Sequence, residues 1–474
     1  MRAVRSWLSG IVLITGGVAL PPQGMAQTQS VGDSAPQSDS VSKALEERVD
    51  ELDQQVRILQ RLRELAAESL ATAAKDGQSA TANAKDGFSL KSADGKYTLK
   101  IRGYAQADGR FHPSDEDKAI GNSFFLRRAR PILEASVGRY FDFRIMPDFA
   151  QGQTTLFDAY WEGKFLPQFT VRAGKSKTPV GFERLQSATD ITFAERGLPT
   201  NLAPNRDIGL SVAGDISQGV FAYQVGVFDG VPDLGNGDAD LTDSKDVAAR
   251  VFFQPFKRGS LKGVGFGVAG STGNELGAPS ATAPTATGLP AYRSPSQQTV
   301  FRYRTDATTP ANSVIADGRR SRFSPHAYLG LGSLGVLGEY ILSSQEVSVG
   351  TSTAELSHRA WGASAGYFLT GEQAGFRSPT PKKPFDLAEK TWGALEIAAR
   401  YGELDLDDDA FPLYANPSSS VSKEKAVGVG VNWYLTKQVK VSVNYEHTTF
   451  DGGAADGADR PSEDFVVTRF QHSF

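Results

Sequence analysis

The sequence predicts an all-β protein, a transmembrane antiparallel β-barrel of about 16 strands that follows an N-terminal coiled-coil helix. Three observations lead to this fold class: an export signal without a later spanning helix, long segments in which apolar and polar residues alternate, and an asymmetry between short and long connections. Strands cross a lipid bilayer only as a closed barrel, because closure pairs their backbone polar groups and leaves no open edge.

The N-terminus has the features of a signal peptide. Arg2 and Arg5 precede an apolar run over residues 8–20 that is too short to span a membrane. Small residues up to Ala26 form a cleavage site, so we expect export and removal of residues 1–26. A buried N-terminal helix is the alternative. The chain contains no cysteine, which excludes disulfides and thiolate metal sites.

Two linkers and a helix are expected between the signal peptide and the barrel. Residues 27–40 and 71–87 are rich in small and polar residues, as linkers are. Between them, residues 41–70 carry apolar residues at spacings of four and three: Leu45, Val49, Leu52, Val56 and Leu59. This spacing favours a short oligomerising coiled coil, with a lone amphipathic helix packed on a domain as the alternative.

Over residues 88–474 the sequence alternates with the period of β-strands. In residues 439–446, for example, four apolar residues alternate with four polar ones: Val439, Val441, Val443 and Tyr445 against Lys440, Ser442, Asn444 and Glu446. Alternation alone also fits a soluble sandwich. The segments are often about 10 residues long, however, which is the length of a tilted strand crossing the hydrocarbon layer.

The connections between these segments differ in length in the way that outer-membrane barrels require. Short turns such as residues 217–219 alternate with long polar loops such as residues 229–246 and about 270–317. The connection at residues 371–390 is long for the short-turn side, and it is where the strand count could be in error. The chain ends in Phe474 on an alternating strand, as expected of a barrel inserted in an outer membrane.

Strand charges are expected to face the lumen, because Arg or Lys on the lipid face costs about 2–4 kcal/mol at the membrane midplane. Arg128 and Arg130 share the lumen face of their strand with Glu134, and Phe125 is assigned to the lipid face. By its position in the alternation Arg127 would face lipid. Because a charge there is costly, we expect it at a rim, at a bulge or in a protein interface.

The alternation stops after Gly174 for about 30 residues, and a strand resumes near Asp207. A long, non-repetitive connection inside a compact fold usually has a function, and here we expect it to fold inward and narrow the lumen. From Arg172 to Asp207 there are six basic and four acidic residues, an excess that supports anion preference only weakly.

Several motifs that suggest other functions fail on closer reading. The Gly-Lys-Ser at residues 174–176 is not a phosphate-binding P-loop, because Phe169 replaces the required glycine and Pro179 interrupts the following helix. The five histidines show no ligand spacing, and nothing points to the Ser–His pair of a barrel lipase. We therefore predict no catalytic residue, no cofactor and no metal. The net charge of −4 gives no case for nucleic-acid binding.

Several segments in order along the barrel resemble the porin O/P family of phosphate- and polyphosphate-selective outer-membrane porins: FLRRARP (125–131), DAYWE (158–162), GKSKTPVGFERLQS (174–187), DITFAERGLP (190–199), NRDIGLSVAGD (205–215) and GALEIAARYGELD (393–405). The resemblance implies a trimeric 16-stranded barrel with an inward third loop and with arginines and lysines along the pore. It also implies that Arg127 and Arg128 lie near the constriction and that Asp158 is an acidic residue facing the anion path. Lys175 and Lys177 are the candidates for a third-loop lysine.

We therefore expect an outer-membrane porin for passive diffusion of small anions, with phosphate and polyphosphate as candidate permeants, a homotrimer surrounded by outer-membrane lipid. A general or cation-preferring porin, and a structural outer-membrane protein tethered by its coiled coil, remain as alternatives. The expected anion-binding and pore-lining residues are Arg127, Arg128, Arg130, Asp158, Lys175, Lys177, Arg184, Arg196 and Arg206.

Overall fold

The structure, a computed structural model, describes residues 37–76, 79–83, 87–113, 121–237, 243–259, 261–280 and 282–474. The predicted signal peptide and residues 27–36 of the first predicted linker lie outside the described residues. The chain divides into a helical unit that ends at Ala73 and a β unit that begins at Ala74.

The helical unit contains one long helix, α1 (Gln37–Asp76), whose last residues, from Ala74, are assigned to the β unit. Its seam residues are exposed, for example Leu52 and Val56 at 48% each. Ion pairs between neighbouring turns support the helix along its surface, such as Arg48–Glu51 at 2.6 Å. In the described part of the chain, no helix is both long enough and apolar enough to cross a membrane.

The region predicted as a second linker contains regular structure. Helix α1 runs on to Asp76, and two short antiparallel strands follow, β1 (Ser79–Asn83) and β2 (Gly87–Lys91). Strand β2 pairs with the start of β3 (Tyr97–Phe111). Composition indicated a linker here because the residues are small and polar, but backbone pairing with a strand edge needs no apolar side chain.

The β unit is a closed barrel of 16 antiparallel strands within the described residues, which confirms the predicted fold class and strand count. After β3 the barrel strands are β4 (Ser123–Val137), β5 (Phe141–Asp148), β6 (Thr155–Leu166), β7 (Phe169–Ser176), β8 (Asp207–Ile216), β9 (Phe221–Phe228), β10 (Asp246–Phe253), β11 (Gly263–Leu276), β14 (Ile315–Leu331), β15 (Leu334–Val349), β16 (Ser352–Phe368), β17 (Ala394–Asp405), β18 (Val421–Tyr434), β19 (Val439–Gly452) and β20 (Glu463–Ser473). Neighbours along the chain pair with each other, β11 pairs with β14, and β20 returns to β3.

The barrel is apolar outside and polar inside. Along β19, Val443 and Tyr445 are 46% and 41% exposed, whereas Asn444 and Glu446 between them are fully buried. The same alternation runs along β17, where Ile397 is exposed and Glu396 is buried. This is the reverse of a water-soluble sandwich and matches a barrel whose outer surface faces lipid.

A β-bulge in β4 explains the anomalous parity of Arg127. Gln106 pairs with Arg128 and Ala107 pairs with Leu126, so Arg127 is the extra residue of the bulge. The bulge also shifts the first part of the strand by one residue, and the assignment of Phe125 to the lipid face is therefore wrong. Phe125 instead faces inward, and the guanidinium of Arg110 lies 4.7 Å from its ring centre.

The long connection between β11 and β14 is not simply a polar outer loop, as the sequence had suggested. It contains two short paired strands, β12 (Ala291–Arg293) and β13 (Thr299–Arg302). Tyr292 and Phe301 in this hairpin are buried, and they belong to an apolar cluster with inward residues of the barrel such as Leu356 and Leu404. Short 3₁₀ turns complete the connections at Leu198–Leu202, Pro310–Asn312, Asp408–Ala410 and Ala455–Gly457.

Candidate functional site

The connection between β7 and β8 leaves the barrel wall at Gly174. Its φ of 116° lies where side chains are disfavoured, and a Cβ at this position would lie 2.3 Å from the carbonyl oxygen of Ala159. Beyond β7 the chain runs through residues 177–206, called the third loop below. It includes the single turn α2 (Phe182–Leu185).

The third loop lies inside the barrel, because inward-facing side chains of five strands hold its backbone. The Gln106 side chain of β3 donates to the carbonyl oxygen of Ala188 at 3.0 Å, and Asn444 of β19 accepts from the Ala194 N–H at 2.8 Å. The other three donate to carbonyl oxygens of the loop: Asn432 of β18 to Thr192, Arg400 of β17 to Glu195, and Arg469 of β20 to Ala194.

The other side of the loop is held by a carboxylate on β15. Glu339 accepts hydrogen bonds from the backbone N–H groups of Phe182 and Glu183, the second at 3.3 Å. Ser324 also donates to this carboxylate, at 3.1 Å. The loop is thus fixed to both sides of the barrel, and the space beside it is bounded by a defined backbone.

A second connection, residues 369–393 between β16 and β17, reaches the third loop from the opposite end of the barrel. The Gln186 side chain donates to the carbonyl oxygen of Phe376 at 2.9 Å, and the rings of Phe376 and Phe182 stack at 4.6 Å. The Ser378 N–H donates to Asp190 at 3.1 Å. The length of this connection, which seemed excessive for a turn, is used to enter the lumen.

These two connections, the barrel wall and parts of the connections after β9 and β11 line an open cavity of about 1290 Å³. Among the described residues that line it, fourteen are basic and three are acidic, although the whole chain carries a net charge of −4. The acidic ones are Asp158, Asp190 and Asp233. The basic ones are Arg102, Arg127, Arg128, Arg130, Arg144, Arg172, Lys177, Arg184, Arg196, Arg206, Arg293, Arg377, Lys437 and Lys440.

Some of this charge is neutralised by acids behind the cavity wall. Glu195 of the third loop contacts four arginines: Arg110 at 2.8 Å, Arg127 at 2.7 Å, Arg128 at 3.6 Å and Arg469 at 3.0 Å. Burial alone would raise the pKa of the Glu195 carboxyl, but these cations hold its pKa well below the ordinary value. The carboxylate is therefore charged and fixes the third loop to the β4 arginines.

Asp158 plays a similar part on β6. Its two oxygens accept from Arg206 at 2.8 Å and from Arg144 at 3.1 Å, so it lies between two guanidinium groups. Beside it, the ring of Phe157 lies between Arg130, 3.7 Å from the ring centre, and Arg206, at 5.1 Å. The ring and the carboxylate together fix the directions in which these arginines point.

Three cations of the third loop have no carboxylate partner within 4.0 Å among the described residues. Lys177 donates to the carbonyl oxygens of Leu185 and Gln186, at 3.1 and 2.7 Å. Arg196 donates to those of Glu183 and Gln186, at 3.1 and 2.8 Å. Arg184 likewise donates only to oxygens of neutral groups, those of Thr200 and Asn205. Their charges remain available to an anion in the cavity.

The burial of Lys177 and the cations around it change its pKa. Burial lowers the pKa of Lys177 well below its ordinary value, and the positive charges of Arg206 and Arg196 lower the pKa further. An anion bound beside Lys177 would relieve this repulsion. Within the described part of the chain, by contrast, no group of three or more histidine or carboxylate side chains could hold a metal ion.

Eight of the nine residues singled out from the sequence line this one cavity. The exception is Lys175, which is buried but is not part of the lining, whereas its neighbours Ser176 and Lys177 are. Sequence reasoning also left several lining cations out of the list. Arg102, Arg144, Arg172 and Lys440 were recognisable by their place on the polar faces of strands, but Arg293, Arg377 and Lys437 lie in connections that give no such signal.

Residues 99–474 match the family model described as "Phosphate-selective porin O and P". The chain is also 23% identical over 435 residues to Porin O of Pseudomonas aeruginosa. This match covers 85% of this chain and 94% of Porin O.

Solved structures with a similar course of the chain include two outer-membrane proteins. DcaP, an outer-membrane channel of Acinetobacter baumannii, is 13% identical with a TM-score of 0.49 and covers 81% of this chain and 99% of its own. OmpT of Vibrio cholerae, expressed in the outer membrane, is 12% identical with a TM-score of 0.49, and the match covers 80% of this chain and 98% of OmpT.

Proposed function

The chain belongs to the phosphate-selective porin O and P family and is an outer-membrane porin, and we propose that it carries small anions by passive diffusion, with phosphate or polyphosphate preferred. A porin is a channel and not an enzyme. The proposal concerns what passes through it and which residues select the permeant.

The observation that carries the proposal is the charge of the cavity. Its lining has fourteen basic residues against three acidic ones, in a chain with an overall excess of negative charge. The four acids that neutralise lining arginines from behind, Glu134, Asp148, Glu162 and Glu195, still leave an excess of seven positive charges. A field of this sign concentrates anions in the lumen and excludes cations.

The chemistry of the three cations without carboxylate partners suits a permeant that binds briefly and leaves. Arg184 and Arg196 offer planar guanidinium groups that match the oxygens of a phosphate, and Lys177 offers a compact point charge. Their present partners are oxygens of neutral groups, which a phosphate could replace without breaking an ion pair. Several such groups in one lumen allow an anion to pass from site to site.

Phosphate preference is supported by the family description and by the number of cations that can act together. A dianion interacts with each cation about twice as strongly as a chloride ion at the same distance. The spread of lining cations, from Arg293 on the hairpin β12–β13 to Lys437 after β18, offers a longer polyanion several contacts. Eight of the nine residues predicted from the sequence are proposed as anion-binding or pore-lining residues. Lys175 is left out because it is not part of the cavity lining.

The two inward connections define where the channel is narrow in this proposal. The third loop contributes Lys177, Arg184 and Arg196, and residues 369–393 contribute Arg377 from the other end. We further propose a homotrimer embedded in outer-membrane lipid through its apolar outer face, in line with the family resemblance. Light scattering of the purified protein in detergent, corrected for bound detergent, tests the copy number.

The proposal is tested with purified protein in planar lipid bilayers. A tenfold potassium chloride gradient should give a zero-current potential of the sign for anions, and adding phosphate should lower the chloride conductance by competition. A potential near zero or of the opposite sign would contradict anion preference and favour a general or cation-preferring porin. Absence of conductance steps would contradict transport itself and favour a structural role.

A further inference from the structure

Helix α1 presents an apolar seam that is exposed along its described length. Five seam residues repeat at spacings of four and three, and each is at least 48% exposed: Leu45, Val49, Leu52, Val56 and Leu59. Three more exposed apolar residues of the helix, Ile58, Leu62 and Leu65, lie outside this seam. The spacing of 3.5 residues nevertheless keeps the five seam residues in register with another helix of the same kind.

The seam has the pattern of a coiled coil with β-branched and leucine layers. Val49 and Val56 occupy the first position of successive heptads, and Leu45, Leu52 and Leu59 occupy the fourth. Arg63 takes the next first position and ends the apolar seam. A single polar residue at such a position specifies the register of a coiled coil at a cost in stability.

The residues that flank the seam fix the relative direction of paired helices. Arg48 precedes Val49, and Asp53 follows Leu52. Arg48 therefore lies just before a first position of the heptad and Asp53 just after the next fourth position. In a parallel coiled coil these two flanking positions of neighbouring helices lie side by side, so Arg48 of one copy meets Asp53 of the other. In an antiparallel pair, positions of the same type meet, which would set the acidic Glu46 and Asp53 against each other.

We propose that the seam of α1 pairs in parallel and in register with the seam of other copies of this chain, held by Arg48–Asp53 ion pairs between copies. The structure shows what these two side chains do in the single chain: Arg48 contacts Glu51 at 2.6 Å and Asp53 contacts Arg57 at 2.6 Å. These contacts within one helix are exposed and weak, so they do not prevent exchange for partners on another helix. The inference is independent of ion selectivity.

The chain contains no cysteine, so disulfide cross-linking can test the pairing in the full-length protein in outer membranes. The Leu52→Cys and Val56→Cys variants place a thiol in the seam, and the Gln54→Cys variant places one on the opposite side of the helix as a matched control. We expect oxidation to link copies through positions 52 and 56 at least fivefold more than through position 54. Comparable linking at all three positions, or none at any of them in a barrel that keeps its heat-dependent gel mobility, would overturn the proposal.

The yield also reports the number of strands. A single seam cysteine can join all chains of a two-stranded coil, but at most two thirds of the chains of the three-stranded coil that the proposed homotrimer would form. Charge reversal then tests direction: Arg48→Asp should lower linking at position 52 severalfold, and Asp53→Arg added to it should restore linking. Failure of the double reversal to restore what the single one removes would overturn the parallel register.

Discussion

Lys177→Gln removes one positive charge from the cavity while keeping a side chain that can still donate to the carbonyl oxygens of Leu185 and Gln186. It therefore tests charge separately from loop structure. The matched control is Lys164→Gln. Lys164 is half exposed at the end of β6 and is paired with Asp142 at 2.6 Å and Glu162 at 3.1 Å.

The expected magnitude follows from the distance of closest approach. A phosphate oxygen in contact with the Lys177 ammonium group brings unit charges to about 4 Å, where their attraction is about 1 kcal/mol at the permittivity of water and about 4 kcal/mol at an effective permittivity of about 20. The cavity of about 1290 Å³ has room for water but Lys177 is partly desolvated by burial, so the lower figure is the minimum. One kcal/mol corresponds to about a fivefold change in affinity.

The assay is inhibition of the chloride conductance by phosphate in planar bilayers. In about 0.1 M potassium chloride, Lys177→Gln should raise the phosphate concentration for half-inhibition at least about fivefold, and Lys164→Gln should leave it unchanged. In about 1 M salt the effect should shrink towards none, because the screening length falls to about 3 Å. Half-inhibition at the wild-type concentration in Lys177→Gln, or an equal shift in Lys164→Gln, would refute the reasoning.

Three further predictions follow from the same cavity. Because the pKa of Lys177 is lowered, this lysine should lose its proton at a pH well below the pKa of about 10.4 of an ordinary lysine; the anion-to-cation permeability ratio should fall with rising pH in wild type and fall less in Lys177→Arg, as zero-current potentials will show. Phe157→Leu should loosen Arg130 and Arg206, which keep Asp148 and Asp158 as partners, and weaken phosphate inhibition about twofold to fivefold, since each cation–π contact contributes about 0.5–1 kcal/mol; unchanged inhibition would mean that the ring does not orient them. Arg377→Gln should lower the permeability ratio without changing the third loop's protease resistance, and an unchanged ratio would remove residues 369–393 from the selective path.

The barrel was predictable because its signal is local and repeated. Alternation over residues 88–474 and the lengths of the connections gave 16 strands, and closure of β20 on β3 bears this out. Along the barrel strands, the prediction failed where a single residue broke the repeat. The bulge at Arg127 shifted Phe125 to the inner face, and no local pattern distinguishes a bulge from a residue on the wrong side.

The content of the lumen was only partly predictable. The position of Gly174 and the loss of alternation after it indicated an inward loop, and basic residues of that loop do line the cavity. The sequence could not show that Glu195 forms ion pairs with Arg110 and Arg469, because these residues are far apart in the chain and meet only when the barrel closes. Nor could it show which cations lack an acidic partner, which is the feature on which the proposed selectivity depends.

The central claim is that unneutralised cations of the third loop select anions. The most direct test is the zero-current potential under a tenfold potassium chloride gradient, measured for wild type and for the triple variant Lys177→Gln, Arg184→Gln and Arg196→Gln. We expect a potential of anion sign in wild type and a clear shift towards zero in the triple variant. A cation-sign potential in wild type, or the same anion-sign potential in both proteins, would contradict the account.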